Sequence, residues 1–301
     1  MWRWITAACL IALAVSAAII LSQQGEPEIV AQQTEKLFST APGEVRALAE
    51  DIEAGRQPEV ARLAALGEGI DSRYGEDITL MFHALSLGNV GAVEALLAAG
   101  ADPTVTDKAS GSERDLLYWM GSPGGDLIET EGLNRILRAY LAAGHSPNAL
   151  HRGKEISTPL IMLFALAENI EGMDILLAAG ADPWARRLKK GVPQDSSALS
   201  TLTLGFETHF DYFDSLIDRG VFDAQGQRNV EHFLQAIGGY AQRGDETSLR
   251  IKDIAMRVLK RNPDYVAPDN GLGAQRIFKD HYEDPGAGEI PWDLIRSDAV
   301  R

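Results

Sequence analysis

The sequence predicts an all-α solenoid of about five to six helix–turn–helix repeats with extended loops, preceded by one transmembrane helix. The segment LLAAGADP occurs twice, at residues 96–103 and 176–183, and glycines end similar segments at intervals of 33 to 44 residues. These two observations predict the repeats. An uncharged apolar stretch near the amino terminus predicts the membrane helix.

The apolar stretch covers residues 5–21 and contains no charged residue. As a helix it rises about 25 Å, near the lower limit for crossing a bilayer. Arg3 precedes it, and Glu26 and Glu28 follow it. The positive-inside tendency therefore predicts a short cytoplasmic start at residues 1–4 and a single-pass inner-membrane protein with its repeat domain in the periplasm.

A cleaved signal peptide is the alternative for the same stretch, because residues 15–17 offer small side chains to a peptidase. Cleavage there would give a soluble periplasmic protein, and a cytosolic chain is a third alternative. Cys9 is the only cysteine, so no disulfide is predicted. Residues 22–41 are polar and predict a linker.

Each repeat is predicted to contain two helices and a loop. Val93, Leu96 and Leu97 share one helical face and predict an apolar stripe that lies in the core. In the second copy of the segment, Leu177 occupies the position of Leu97. Gly100 follows at the position where a left-handed residue ends a helix. Because one helix pair cannot bury its own stripe, the repeats are predicted to stack.

Two motifs in these repeats match a known family. The matching segments are residues 79–84 (TLMFHA, against the family's TPLHxA), 158–160 (TPL), 100–102 and 180–182 (both GAD). With these motifs, residues 42–224 resemble the ankyrin-repeat family. The resemblance implies helix pairs joined by projecting β-hairpin fingers, which bind protein partners.

The chain beyond the repeats has two further parts. Residues 225–265 contain two amphipathic helices without the GAD motif and predict a diverged repeat or cap. Residues 266–301 are rich in Pro, Gly and Asp and predict a C-terminal extension with one short helix at 273–280. The predicted order of segments is thus the cytoplasmic start (1–4), the membrane or signal segment (5–21), the linker (22–41), the repeats (42–224), the cap (225–265) and the C-terminal extension (266–301).

Charge and motif content narrow the function. The formal net charge of -15 disfavours nucleic-acid binding and suits either a basic partner or simple solubility. The six histidines show no metal-binding spacing, and no nucleophile elbow, Walker loop or dinucleotide fingerprint is present. We therefore predict no enzyme activity, no metal and no cofactor.

The predicted function is binding of one protein partner by a monomer, which inhibits or supports that partner as an immunity or accessory protein does. A scaffold with several envelope partners is one alternative. An enzyme with its site in the insertions is another.

One basic cluster stands out in the acidic chain, directly after the second GAD motif. Its candidate binding residues are Trp184, Arg186 and Arg187. They would meet an acidic protein surface or lipid head groups. The alternative is a solvated loop with Trp184 packed against the next repeat. Equivalent fingers supply the further candidates Tyr74, Asp77, Asp107, His151 and Arg152.

Overall fold

The computed structural model describes residues 34–106, 114–121, 127–203, 208–238, 246–267, 277 and 296–297. The chain divides into two compact units, Met1–Ser112 and Glu113–Arg301. Both units consist largely of short helices that follow one another in pairs.

The first unit contains helices and 3-10 turns in its described residues. Its elements are α1 (Gly43–Glu53), α2 (Val60–Ala64), 3-10 turns at Gly67–Asp71 and Gly75–Asp77, α3 (Leu80–Ser86) and α4 (Val90–Ala98). The Thr79 side chain begins α3 by accepting a hydrogen bond from the Phe82 N–H, and Asn89 begins α4 in the same way. Leu80 and Leu96 are fully buried between these helices.

The segment predicted as a linker, residues 22–41, includes residues that pack into this unit. Residues 34–37 are helical, and Phe38 is buried. The Phe38 ring lies 5.1 Å from the His83 ring and 5.5 Å from the Tyr74 ring, measured between centroids. Leu37 and Phe38, which lie in the segment predicted as a linker, thus supply core surface to the unit.

The second unit combines helices with strands. Its helices are α5 (Leu116–Met120), α6 (Thr130–Ala142), α7 (Leu160–Leu166), α8 (Ile170–Ala178), α9 (Ala198–Leu202), α10 (Phe210–Asp218), α11 (Gln227–Gly238) and α12 (Glu246–Lys260). Its strands are β1 (Leu150–Arg152), β2 (Ile156–Pro159), β3 (Arg186–Lys189), β4 (Val192–Ser197), β5 (Val266–Ala267) and β6 (Arg296–Ser297).

Strands β1 to β4 form one antiparallel sheet in that order. Each of the hairpins β1–β2 and β3–β4 connects neighbours in sequence, and β2 pairs with β3 to join the hairpins. Ser157 is opposite both Arg152 and Leu188, which fixes the register across three strands. Strand β5 pairs with β6 in parallel as a separate two-stranded sheet.

The prediction of an all-α solenoid is therefore wrong. The fold is mixed, with helices and a four-stranded antiparallel sheet in the same unit. The sequence predicted separate hairpin fingers, whereas backbone hydrogen bonding between β2 and β3 merges two of them into one sheet. Merging satisfies backbone groups that separate fingers would leave to solvent.

The glycine turns at the helix ends agree with the sequence-based prediction. Gly100 has a φ of 92°, and its N–H donates to the Leu97 carbonyl, while the Ala101 N–H donates to the Leu96 carbonyl. This pair of bonds is the Schellman arrangement, which favours glycine at the left-handed position. Glycines with positive φ follow α6, α8 and α10 in the same way, at Gly144, Gly180 and Gly220.

Side-chain oxygens tie successive turns together. In each case a carboxylate or amide oxygen accepts a hydrogen bond from a backbone N–H of the turn about one helix pair away. The pairs, acceptor first, are Asp71–Asp102 at 3.1 Å, Asn148–Asp182 at 2.7 Å and Asn262–Gln225 at 2.7 Å. Within each unit the helix pairs are thus linked to their neighbours at regular intervals.

Two helices lie in the segment predicted as a diverged repeat or cap, residues 225–265. The predicted cap contains α11 and α12, whose Phe233 and Ile254 are fully buried. The short helix predicted at 273–280 lies outside the described residues, apart from the buried Ile277.

The predicted membrane localisation is also corrected. None of the helices in the described part of the chain is both long and apolar enough to cross a bilayer. The segment predicted to cross it or to be cleaved, residues 5–21, lies outside the described residues. The described residues therefore do not support the predicted single-pass inner-membrane protein with its repeat domain in the periplasm.

Candidate functional site

The four-stranded sheet concentrates positive charge in an acidic chain. Strands β1 to β4 and their two connecting turns, residues 150–159 and 186–197, are called the basic sheet here. They contain six Arg and Lys residues and two acidic ones, while the whole chain has 28 Arg and Lys and 43 Asp and Glu. The basic residues are Arg152, Lys154, Arg186, Arg187, Lys189 and Lys190.

Three of these cations are exposed and unpaired. Arg152, Lys154 and Lys189 form no ion pair with any described residue, whereas Lys190 lies 3.5 Å from the Glu155 carboxylate. Free cations retain their full electrostatic attraction for an approaching anion. The basic sheet therefore offers an uncompensated positive surface.

Exposed aliphatic side chains lie next to one of these cations on the sheet. Lys189 is opposite Ile156 on β2 and opposite Val192 on β4, so the three side chains lie on the same face of the sheet. Ile156 is 38% exposed and Val192 is 61% exposed. The face thus presents an exposed lysine between two exposed aliphatic side chains, a combination that suits contact with another protein.

The structure brings five of the eight predicted site residues together. His151, Arg152, Arg186 and Arg187 are on strands of the basic sheet, and Trp184 precedes β3 by two residues. The other three are elsewhere: Tyr74 and Asp77 belong to the first unit, and Asp107 lies outside the described residues.

Trp184 is a core residue rather than a surface anchor. It is 7% exposed, and its ring meets the rings of Phe222 and Phe233 edge-on at centroid distances of 5.5 and 6.5 Å. Its indole N–H donates to the Val221 carbonyl at 3.4 Å. This is the packing alternative raised by the sequence, and it excludes direct contact between a partner and most of the indole.

Arg186 and Arg187 have different surroundings. The Arg186 Nη2 atom donates to Asn229 Oδ1 at 2.7 Å, on α11. Burial is the main cause that lowers the pKa of Arg186, and the nearby charge of Arg228 adds to it. Arg187 is half-buried, and its Nε atom has no hydrogen-bond partner among the described residues.

His151 is held by an acidic residue that the sequence did not single out. Its Nδ1 atom lies 2.8 Å from Asp115 Oδ1, and both side chains are nearly buried. The same Asp115 oxygen accepts from the Tyr118 N–H and so begins α5. Tyr118 lies 5.2 Å from the His151 ring, and the Arg114 guanidinium lies 5.1 Å from the Tyr118 ring.

This arrangement orients the His151 imidazole, but the described residues place no nucleophile beside it. An Asp–His pair polarises a nucleophile only when a hydroxyl or thiol lies within hydrogen-bond reach of the second ring nitrogen. No such contact to His151 Nε2 occurs among the described residues. We therefore interpret the pair as a brace that fixes β1 against α5.

Tyr74 and Asp77 lie in a tight turn rather than in a hairpin. The Tyr74 N–H donates to the Ile78 carbonyl and the Asp77 N–H to the Tyr74 carbonyl, both at 2.9 Å. Asp77 has a φ of 60° and is exposed. The finger predicted here is a 3-10 turn with a left-handed end.

No cluster of three or more His, Cys, Asp or Glu side chains suited to a metal ion occurs in the described part of the chain.

Sequence reasoning missed the two exposed aliphatic residues and Asp115. Ile156 and Val192 become neighbours of Lys189 only through the pairing of β2 with β3 and of β3 with β4. Asp115 was recognisable as a helix cap, since a short apolar helix follows it directly. Its pairing with His151, 36 positions further on, has no local signal.

Comparison with known families gives no match to a family model, and comparison with curated proteins gives none either. The resemblance to the ankyrin-repeat family thus rests on the repeat motifs alone and stays a proposal.

Proposed function

We propose that this chain is a protein-binding module and that its basic sheet docks an acidic segment of one partner protein. The observation that carries the proposal is the excess of Arg and Lys on the sheet of a chain whose net charge is -15. Charge complementarity of this kind speeds encounter and selects the partner.

The electrostatic contribution to binding of the partner comes from the unpaired cations. Lys189 lies on the face that carries Ile156 and Val192, and Lys154 lies in the turn between β1 and β2. Both lysines are exposed and form no ion pair with any described residue. An acidic segment therefore gains ion pairs here without displacing pairs that already exist. Such contacts are screened by salt over about 10 Å at 0.1 M ionic strength.

The apolar contribution to binding of the partner comes from Ile156 and Val192. Covering these side chains removes aliphatic surface from water, at about 25 cal/mol per Å². Trp184 supports the site indirectly, because its packing against Phe222 and Phe233 holds the start of β3 in place. A rigid platform loses little conformational entropy when the partner binds.

A charge-reversal experiment tests the proposal. The full chain is crosslinked in extracts of its native cells, and captured proteins are quantified by mass spectrometry. The double variant Lys154→Glu/Lys189→Glu should lose the partner. The variant Arg46→Glu/Lys260→Glu changes the net charge equally at exposed positions outside the sheet and should retain it.

Two outcomes would contradict the proposal: equal capture by both variants, or no protein captured in near-stoichiometric amount by the unaltered chain. Capture of several proteins that all depend on the sheet would instead support a multi-partner scaffold. Expressing the identified partner with and without this chain would then show whether binding inhibits or supports it.

A further inference from the structure

Two arginines and one histidine gather around one carboxylate where the basic sheet meets α11. The Asp195 Oδ1 atom lies 2.8 Å from Arg228 Nη2 and 3.6 Å from His232 Nε2. Arg186 of β3 reaches the same region, since it hydrogen-bonds Asn229, the residue next to Arg228. Arg228 and His232 are four positions apart on α11 and so share one helical face.

Charged groups of both signs act on this cluster. The hydrogen bond from Arg228 is the largest cause that lowers the pKa of Asp195, followed by the charge of His232. For His232, burial lowers the pKa, and the charge of Arg186 lowers it further. The carboxylates act in the opposite direction, Asp182 on Arg186 and Glu231 on His232. Arg186 and Arg228 are thus the two permanently charged cations of the cluster.

Hydrogen-bonding capacity is also left over. The Arg186 Nη1 and His232 Nδ1 atoms are buried and have no hydrogen-bond partner among the described residues. A buried polar atom without a partner destabilises a fold by roughly 1–3 kcal/mol. Such atoms call for a partner of their own, and the guanidinium of Arg186 favours an anionic one.

We propose that Arg186, Arg228 and His232 form a binding site for a phosphate-class oxyanion, and that Asp195 occupies this site when no ligand is bound. Asp195 contacts Arg228 and His232 through a single oxygen. A tetrahedral oxyanion carries enough acceptor oxygens to bond all three side chains at once.

Asp195 can leave the site at small cost. Its side chain is 76% exposed, and that of Arg228 is 61% exposed. Exposed ion pairs of this kind contribute at most about 1 kcal/mol. The ligand thus has to displace only a weakly held group, and the released carboxylate moves into solvent.

The site does not depend on the proposed docking of a partner protein and can be tested without one. Inorganic phosphate is titrated into the full chain, and binding is followed by calorimetry and by the side-chain NMR signals of His232. Saturable binding is expected, together with a rise in the pKa of His232 when phosphate is bound. A general ionic effect would not produce a saturable shift at this residue.

Variants identify the residues involved. Arg228→Gln should weaken phosphate binding about 10-fold or more, the equivalent of one charge-assisted hydrogen bond. Asp195→Asn should strengthen it, because the competing carboxylate is gone. Arg46→Gln removes an exposed cation outside the sheet and should leave phosphate binding unchanged. The exposed Arg228 is the deciding position, since replacing the part-buried Arg186 could disturb folding.

Two further ligands test which class of anion the site prefers. Glycerol 3-phosphate tests whether the site prefers a phosphate monoester to the free ion, and tighter binding of either one supports the site. Acetate has only two acceptor oxygens, so it should bind at least about 10-fold more weakly than phosphate. The proposal is overturned if phosphate binds neither the unaltered chain nor Asp195→Asn, if Arg228→Gln binds it equally well, or if acetate matches it.

Discussion

The amide nitrogen of Asn89 lies 2.9 Å from the backbone carbonyl oxygen of Ile52, so the residue that begins α4 also holds the end of α1. The same nitrogen lies 3.0 Å from the Arg56 carbonyl, and the Asn89 Oδ1 atom accepts from the Ala92 N–H. One side chain thus satisfies three backbone groups at the ends of two helices.

Substitutions at Asn89 should separate these two roles. Asn89→Ala loses the cap and both carbonyl contacts, so we expect it to lower the free energy of unfolding by about 2 kcal/mol. Asn89→Ser keeps a capping oxygen but no amide donor, so about 1 kcal/mol is expected. Urea denaturation measures both values. If the serine variant were as unstable as the alanine variant, the cap would contribute nothing.

His83 should make the first unit sensitive to acid. Burial lowers the pKa of His83 from 6.5 to about 4, while a hydrogen bond to the backbone of Ala49 acts in the opposite direction. Between these two pH values the unfolded chain binds the proton and the folded chain does not. The free energy of unfolding is therefore unaffected by protonation of His83 above pH 6.5. It falls by roughly 2–3 kcal/mol as the pH drops from 6.5 towards 4.

The measurement compares the unfolding free energy at pH 7 and pH 4.5 in the unaltered chain and in His83→Gln. Glutamine does not titrate, so the loss on acidification should be smaller in the variant by about 2 kcal/mol. An identical pH dependence in both proteins would show that His83 is not buried in its neutral form.

Trp184 should matter for stability rather than for direct contact with a partner. Trp184→Ala removes an indole packed against two phenylalanines, and we expect a loss of about 3–5 kcal/mol in the free energy of unfolding. Val192→Ala truncates an exposed residue of the same sheet and should change stability by less than about 0.5 kcal/mol. Thermal or urea unfolding of both variants checks this, and similar values for the two would contradict the placement of the indole.

The two leucines of the second repeated segment should differ. Leu176 is fully buried, whereas Leu177 is only half-buried, contrary to the sequence-based expectation that Leu177 lies in the core. Leu176→Ala should therefore cost about 2–5 kcal/mol, and Leu177→Ala about 1–2 kcal/mol. Denaturant midpoints measured side by side test the difference. A larger loss at Leu177 would restore the original expectation.

Local features of this fold could be predicted because local residues determine them. Gly100 and Gly180 end their helices as expected, since a left-handed position with Schellman bonds depends on only a few neighbouring residues. Helices α3 and α4 were likewise recognisable from Thr79, Asn89 and the apolar positions between them.

The sheet could not be predicted because distant residues form it. Ser157 and Leu188 are separated by a whole helix pair, and neither hairpin shows a clear alternation of apolar and polar residues. The pairing depends on how the helix pairs between them stack, which is a tertiary property. Phe38 was missed for a related reason: two apolar residues in a polar stretch are too few to show a period.

The edges of the basic sheet make it a poor template for aggregation. The outer strand β1 has only three residues, so it offers few free backbone groups to another chain. The other outer strand, β4, contains Pro193, which has no N–H to donate, and its pairing with β3 is interrupted by a register shift. A sheet bounded in this way can stay exposed at high protein concentration without recruiting further strands.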